Sequence, residues 1–536
     1  MENNAIFKKA QDAARIFDDV CDRLGIEPIP TTFAGDESKR EMFQRAAGEY
    51  NPFPGPVADT LKGMRIPAMQ KLFEAEVIPQ TAAMAAVLSA CSSVATEIGR
   101  LRGADTPDAA TVCDVAFAGL QANRVFMSYY TEPKFQMARM MNGASITNAI
   151  AGEWHKYPCK DGRLISMHAY RQEKFAKLVN ALGLSKPAKD YNLMSTEQDV
   201  PEVASAAAKW NAQELEEWIF KNDASAVVVR SREEFEESEL GKAVMSMPIV
   251  KVGKTGGDEK AAWGAPNERG PLSGIKVLDL THIIAGPACS RILAEYGADV
   301  LLVRRSGGFA EQESCMNEFD GWAGKRLINL DFNDAEQLAR VKELIREADV
   351  VTYTYRDGIL DKFGLSEAGI RALNPNVVYS NLNCFSDTVW RNRPGWAPCA
   401  EDISGISIRN GSEEHPQNLS GVPMDYFPGF LLAIGTLLAL RNRLTIGGGW
   451  KVTTSLTRGA MYLHECADLC ASAGHEGSAT VSERVDAPVW DSILQFTEGC
   501  AIPGTNGFPS PGAINTAWPF RPENLVFTEG DNWSQV

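Results

Sequence analysis

The amino-acid sequence predicts an α/β protein built on a doubly wound, mostly parallel sheet. Three observations carry this. From residue 275 onward, apolar strands and amphipathic helices alternate strictly, the pattern of βαβ units whose parallel strands need helical crossovers. The 536 residues are 44% apolar and 23% charged, ample for a large core without disulfides or metal. Gly, Pro and charge concentrate in KVGKTGGDEKAAWGAPNERGP (251–271), which reads as a linker just ahead of the alternation.

The elements follow in order. Residues 1–48 read as amphipathic helices, with Lys, Asp and Arg between apolar positions. EYNPFPGPVADT (49–60) reads as a loop, and PQTAAMAAVLSACSSVATEIGRLR (79–102) as a long Ala-rich helix. VCDVAFAGLQ (112–121) is a strand running into a helix. YPCKDGRLISMHAY (157–170) is a hairpin turning at Asp161-Gly162. Helices are expected near 172–183 and 201–221, then a short buried strand, SAVVVRS (225–231).

Beyond the linker, strands are expected at 275–280, 299–304, 325–331, 349–355 and 377–385, with helices at 286–297, 334–348 and 365–374 between them. FPGFLLAIGTLLAL (427–440) reads as a buried helix; it is too short to cross a membrane and is followed by Arg441 and Arg443. A weak echo links 82–121 with 430–461. Each runs as an apolar helix, an Arg pair (Arg100 and Arg102, Arg441 and Arg443), a Gly-bearing turn and a strand.

Composition excludes several functions. With 53 basic and 69 acidic residues the net charge is −16, so no basic footprint invites nucleic acid or anionic lipid. The 11 Cys are scattered, far below a disulfide scaffold, and read as reduced, intracellular thiols. His155 and His168 match no zinc spacing, so no metal site is expected. MENNAIFKKAQDAARIFDDV has no apolar signal core and NWSQV no address, so the expected location is cytoplasmic.

Three features carry chemistry. Gly253-Lys254-Thr255 lacks the upstream Gly of a phosphate loop, and THIIAGPACSRIL (281–293) has no G-x-G-x-x-G, which disfavours a nicotinamide dehydrogenase. Gly286-Pro287 nevertheless opens a helix, where free N–H groups can receive an anion; the alternative is an ordinary βα turn. Arg304, Arg305, Lys325, Arg326, Arg356 and Lys362 flank strand ends, and as a set favour an anionic cofactor in the crevice at the carboxyl edge of the sheet. Asp425 lies just before the apolar helix, where dipole and free N–H groups favour its ionised form. It is either a nucleophile or a capping residue.

The stretches 271–305, 324–334, 348–365, 373–385, RPGW (393–396) and 424–456 resemble, in order and spacing, the class III CoA-transferase family, which includes the α-methylacyl-CoA racemases. The resemblance implies a Rossmann-like domain with a smaller α+β domain, assembled as an interlaced dimer. It implies a CoA-contacting loop at His282, Ile283, Ile284 and Ala285, a nucleotide contact at Arg305, and further CoA contacts at Leu330, Asp331, Asn333, Thr354, Tyr355 and Lys362. Asp425 falls on the family's catalytic aspartate, which would exchange CoA between an acyl-CoA and a small carboxylic acid through an aspartyl-CoA thioester. CoA thioester is then substrate, with no tightly bound cofactor.

The chain departs from the family at two places. The racemase Gly-His-Asp stretch is Gly395-Trp396-Ala397 here, so the second proton-transfer group is missing and transferase is favoured over racemase or epimerase. No Gly-rich loop like that over the transferase site is found, which keeps a catalytically silent CoA-binding protein as an alternative. Residues 1–265 resemble the part that normally follows the catalytic Asp. The expected organisation is therefore a C-terminal-like half at 1–250, a linker at 251–270, the CoA-binding and catalytic region at 271–465, and an extension at 466–536. Such a chain would be a homodimer or a monomer mimicking the interlaced dimer.

Overall fold

The computed structural model describes residues 5–34, 76–123, 155–169, 172–188, 200–305, 321–419, 421–475, 513–518, 528–529 and 533. The expected loop at 49–60 lies outside them, as does most of the 466–536 extension. The first part of the chain forms Ala5–Leu24 (α1), Thr31–Ala34 (β1), Gln80–Leu101 (α2), Thr111–Asp114 (β2) and Val115–Leu120 (α3). There follow Lys156–Pro158 (β3), Leu164–His168 (β4), Gln172–Leu182 (α4), Val200–Ala207 (α5), Ala212–Lys221 (α6) and Ser225–Val228 (β5). Arg232–Glu237 (α7) and Glu239–Met245 (α8) lead to Lys251–Gly256 (β6). Ser231 and Ser238 cap these two helices by accepting from the Glu234 and Gly241 N–H groups.

The second part runs Lys276–Leu280 (β7), Ala285–Glu295 (α9), Asp299–Arg305 (β8), Lys325–Leu330 (β9), Ala335–Glu347 (α10), Val350–Tyr353 (β10), Glu367–Leu373 (α11) and Val378–Asn383 (β11). Ala397–Ile403 (α12), Ile406–Asn410 (α13), Pro423–Thr445 (α14), Gly449–Ser455 (β12) and Leu456–Ser472 (α15) complete it. Short strands at Ala513–Asn515 (β13) and Thr528–Glu529 (β14) close the chain. The expected alternation is thus observed, with ends moved by one to three residues. The helix expected at 201–221 is two, broken at 208–211.

The large sheet has the order β14-β9-β8-β7-β10-β11-β12-β6, parallel throughout except for β6. Side chains alternate along its strands, so both faces bury apolar residues. Val277 joins the core that holds α9 and α14, while Leu278 and Leu280 join the core that holds α10 and α11. Such two-faced burial is what a mostly parallel sheet requires. At its centre Lys325 and Asp279 form a fully buried ion pair of 2.8 Å. Lys325 also donates to Pro287 O and Ser290 Oγ, and Asp279 accepts from Ser290 and Thr281. Burial alone would raise the Asp279 pKa, but Lys325 beside it outweighs burial and holds it down.

The smaller sheet is the antiparallel set β3-β4-β5, with α4, α5 and α6 packed on it. The expected Asp161-Gly162 hairpin joins β3 to β4, and Gly162 takes the positive φ of 80° that its turn demands.

A third sheet, β1-β2-β13, repeats a corner of the large one. β1 is parallel to β2 and β2 antiparallel to β13, as β11 is parallel to β12 and β12 antiparallel to β6. The units α2-β2-α3 and α14-β12-α15 match in order, and α2 packs directly on α14. The edge strands are exchanged: β6 comes from the first half and closes the second half's sheet, while β13 comes from the chain's far end and closes the first. This corrects the linker expectation, because 251–256 is a sheet edge. The rest of the connector is fastened too. Arg102 donates to the carbonyls of Gly264, Pro271 and Ser273 at 2.9, 2.6 and 2.8 Å, and Arg443 lies over Trp263.

α14 is longer than the apolar run suggested. It and α2 are both long and apolar enough to cross a membrane by composition, yet 94% of each apolar window is buried inside the protein. Helices apolar on all sides are core helices when protein surrounds them.

Candidate active site

A cavity of about 370 Å³ opens at the carboxyl edge of the large sheet. The strand order reverses direction at β7, between β8 and β10, and ligand crevices of open α/β sheets lie at such points. After β7 the wall is His282, Ile283, Ala285 and Gly286; after β8, Arg305; after β10, Thr354, Tyr355 and Arg356; at β11, Asn383 and Cys384. Asp425 enters from α14 and Lys362 from beyond β10. Glu173, Lys174 and Asp223 form a wall from the smaller domain.

The loop after β7 is strained and held. Ile283 has φ +66°, an outlier for a β-branched residue, and such strain persists only where neighbours enforce it. Thr354 Oγ1 accepts from the His282 N–H at 3.2 Å and lies 3.1 Å from His282 Nδ1, and the imidazole packs on the Tyr355 ring at 4.7 Å. At Gly286, an added Cβ would meet Thr281 and Thr354, so only glycine lets the helix start sit this close to the strand ends.

Asp425 is the third residue of α14, not a residue ahead of it. Its N–H bonds Val422 O at 3.0 Å, and among the described residues its carboxylate has no hydrogen-bond or cation partner. The expected stabilisation by helix-end N–H groups is therefore not what sets its charge. Desolvation wins and pushes its pKa up to about 7. Cys384 is close enough to feel that charge: burial first, then Cys399 and Asp425, drive its thiol well up.

The cations divide into two classes. Arg391 bonds Asp357 at 2.7 Å, Arg393 bonds Glu217 at 2.8 Å, and Asp223 takes both Lys174 at 2.5 Å and Arg356 at 2.9 Å. Burial opposes ionisation of Asp223, but these cations hold it well below the usual carboxylate range. Asp223 also sits at φ +55°, so it is fixed at some conformational cost. Arg305 and Lys362 differ. They flank the Phe363 ring at 5.8 and 4.8 Å and make no ion pair among the described residues, although Arg305 is near enough to Asp331 to help hold its carboxyl down. They are the cations available to phosphate.

The structure thus brings His282, Ala285, Arg305, Thr354, Tyr355, Lys362 and Asp425 to one cavity. Ile284 precedes α9 and is buried in the core. Leu330 is buried in the α10 core, and Asp331 accepts from the Asn333 N–H at 2.9 Å in a local turn; none of these four lines the cavity. Lys325, expected among the crevice cations, is instead consumed by Asp279, and Arg304 turns to Asn329 and Trp322. Glu401 and Asp402 are buried in α12 away from the cavity lining. Asp402 pairs with Lys156 at 3.3 Å, whereas Glu401 is pushed up to about 8 chiefly by burial. Lys174, Asp223, Asn383, Arg391 and Arg393 also line the cavity; Lys174 and Asp223 come from the first half, whereas Asn383 and Arg393 lie in the family-like stretches 373–385 and 393–396 but carried no expected role.

The sequence model of CoA-transferase family III matches residues 75–256 and 272–489. An acyl-CoA transferase of Gibberella moniliformis is 29% identical over 337 residues, which is 59% of this chain and 57% of that protein. The succinyl-CoA–L-malate CoA-transferase beta subunit of Chloroflexus aurantiacus is 32% identical over 198 residues, 35% of this chain and 49% of that one. A CAIB/BAIF family protein from Brucella suis, solved by crystallography, is 28% identical with TM-score 0.35, covering 38% of this chain and 58% of that one. The chain spans about half the length of the curated relatives it matches. The two matched segments take in most of the sequence, including the cavity and both halves that wall it, and the chain belongs to CoA-transferase family III.

Proposed function

We propose that this protein moves CoA from an acyl-CoA donor to a carboxylic acid acceptor, with Asp425 as the covalent carrier. The observation that carries the reading is an unpartnered carboxylate in a cavity at the switch point of a parallel sheet, with two cations that make no ion pair among the described residues on the same cavity. We read the large sheet as Rossmann-like, with the nucleotide of CoA at Arg305 and Lys362 and the thioester at Asp425. The acyl donor and acceptor share one small carboxylate site in turn. The succinyl-CoA and L-malate in the Chloroflexus relative's name make a short dicarboxylic acid the first acceptor to test.

The steps balance without a proton. A carboxylate oxygen of Asp425 attacks the thioester carbonyl, the C–S bond breaks, and CoA leaves as thiolate. The thiolate then attacks the aspartyl carbonyl of the mixed anhydride, giving aspartyl-CoA and the donor's carboxylate. The acceptor carboxylate repeats the sequence in reverse, and Asp425 is regenerated. Each addition builds an oxyanion that needs donors placed in advance.

Racemisation would need a base on each face of the α-carbon, and Trp396, which stands at the racemase His position and lines the cavity, supplies none. We read the exchanged strands β6 and β13 as one interlaced body contained in a single chain, with the first half displaced ahead of the nucleotide-binding half. Incubation with acyl-CoA and hydroxylamine tests the chemistry. Inactivation with a hydroxamate on Asp425, mapped by peptide mass spectrometry, is expected. No modification, together with a fully active Asp425→Ala variant, refutes it.

A further inference from the structure

We propose that the carboxamide of Asn383 donates a hydrogen bond to the oxyanion formed when Asp425 attacks the thioester, and so is a catalytic residue of the CoA-transfer reaction. The inference rests on the reading of Asp425 above and adds a residue to which the family-like stretch 373–385 assigned no role.

Asn383 ends β11, the strand against which α14 packs. It lines the cavity that Asp425 enters, and so does its chain neighbour Cys384, which lies near enough to feel the Asp425 charge. Among the described residues neither end of the Asn383 amide has a hydrogen-bond partner, and Oδ1 is shut off from solvent. The buried end is Oδ1, an acceptor that an oxyanion cannot satisfy; the donor the proposal needs is Nδ2, which bonds no protein acceptor among the described residues. Asn381, two residues earlier on the same strand, also has an unpartnered buried Oδ1, but its Nδ2 donates to Tyr353 O at 3.0 Å. The Asn383 carboxamide makes no such bond, although its backbone pairs with Ser455 in the β11–β12 ladder.

The chemistry of the wall narrows its role. Arg391, Arg393, Lys174 and Arg356 are already held by carboxylates, and Thr354 is engaged with His282. Arg305 and Lys362 sit on the Phe363 side. Asn383 is one of several uncharged donors on that wall, with His282, Tyr355 and Trp396, and it adjoins Cys384, which feels the Asp425 charge. An uncharged amide suits an oxyanion beside a carboxylate nucleophile. It stabilises the developing charge without pairing with Asp425 in the ground state, as a cation would, and without giving up a proton.

The test compares full-length wild type, Asn383→Ala and Asn383→Ser with an acyl-CoA and a panel of carboxylic acids. Steady-state transfer is followed, and the CoA adduct on Asp425 is timed by mass spectrometry of acid-quenched protein. Asn383→Ala should lower kcat and the rate of adduct formation by about 10²–10³-fold, the loss typical of one oxyanion donor. Its KM for acyl-CoA should stay within threefold and its thermal midpoint should not fall, since no protein hydrogen bond is removed. Asn383→Ser, which restores a shorter donor, should recover part of the rate. An Asn383→Ala enzyme forming adduct at the wild-type rate overturns the proposal alone. So does a loss confined to KM, which would make Asn383 a contact for the CoA arm. Absence of any adduct in the wild type overturns the Asp425 reading, and this proposal with it.

Discussion

Asp425 must be ionised to attack, and its surroundings work against that. No cation or N–H group among the described residues offsets its burial, so its pKa stands at about 7 rather than 3.8. The free enzyme is then about one-tenth ionised at pH 6 and about nine-tenths at pH 8, which makes kcat/KM rise about tenfold across that interval. The assay is kcat/KM for transfer from an acyl-pantetheine, whose lack of nucleotide phosphates removes their titration from the profile. A companion measurement uses stability. A carboxyl with a raised folded pKa is bound to its proton more tightly in the native state, so its contribution is fully present below the unfolded value and is lost as pH rises from about 4 to about 7. At about 1.4 kcal/mol per pH unit that loss approaches 4 kcal/mol. Asp425→Asn, close in shape and uncharged, should therefore be more stable than wild type to urea at pH 8 by a few kcal/mol and nearly equal to it at pH 4. A flat kcat/KM profile from pH 5.5 to 8.5, with no stability gain in the Asn variant, refutes the argument that desolvation governs this group.

Three further outcomes follow from the packing. Arg305→Ala combined with Lys362→Ala should raise KM for acyl-CoA by about 10- to 100-fold, since charge-assisted bonds contribute about 1.5–3 kcal/mol, and should leave KM for acyl-pantetheine unchanged; equal effects on both substrates would show that these cations do not hold the nucleotide. Lys325→Met strands the buried Asp279 carboxylate and should cost about 3–5 kcal/mol in urea unfolding, with less lost when Asp279→Leu is added; a single-variant loss under 1 kcal/mol would contradict the pairing. Gly429→Ala, one turn after Asp425, places a methyl against the Ala285 backbone carbonyl. Overpacking of about 1–3 kcal/mol should outweigh the helix-propensity gain of about 1 kcal/mol and displace Asp425, so that both midpoint and kcat fall; a stabilised, fully active variant would show that α14 and α9 are not in close contact there.

The amino-acid sequence by itself determined what depends on neighbours along the chain. Strand and helix periodicity placed β7 to β12 and the helices between them to within a few residues, because alternation and amphipathicity are written at spacings of two and about 3.6. The family resemblance pointed to Asp425, Arg305, Lys362, His282 and Ala285, and these line one cavity.

Only the tertiary structure decided what depends on distant segments. Gly-rich composition made 251–256 look like a linker, yet those residues are the antiparallel edge of the large sheet, a pairing made with β12 some two hundred residues away. Lys325 and Arg305 look alike in sequence, at opposite ends of adjoining strands. One is neutralised by Asp279 in the core, and the other faces a cavity, because ion pairing depends on which strands lie side by side. The helix-end argument for an ionised Asp425 used local geometry alone. The protein around it removes the water, and at that site desolvation exceeds what the helix end can return. Asn383 lies in the family-like stretch 373–385 but is given no role there; it becomes notable only when the fold sets its amide on the wall of Asp425's cavity.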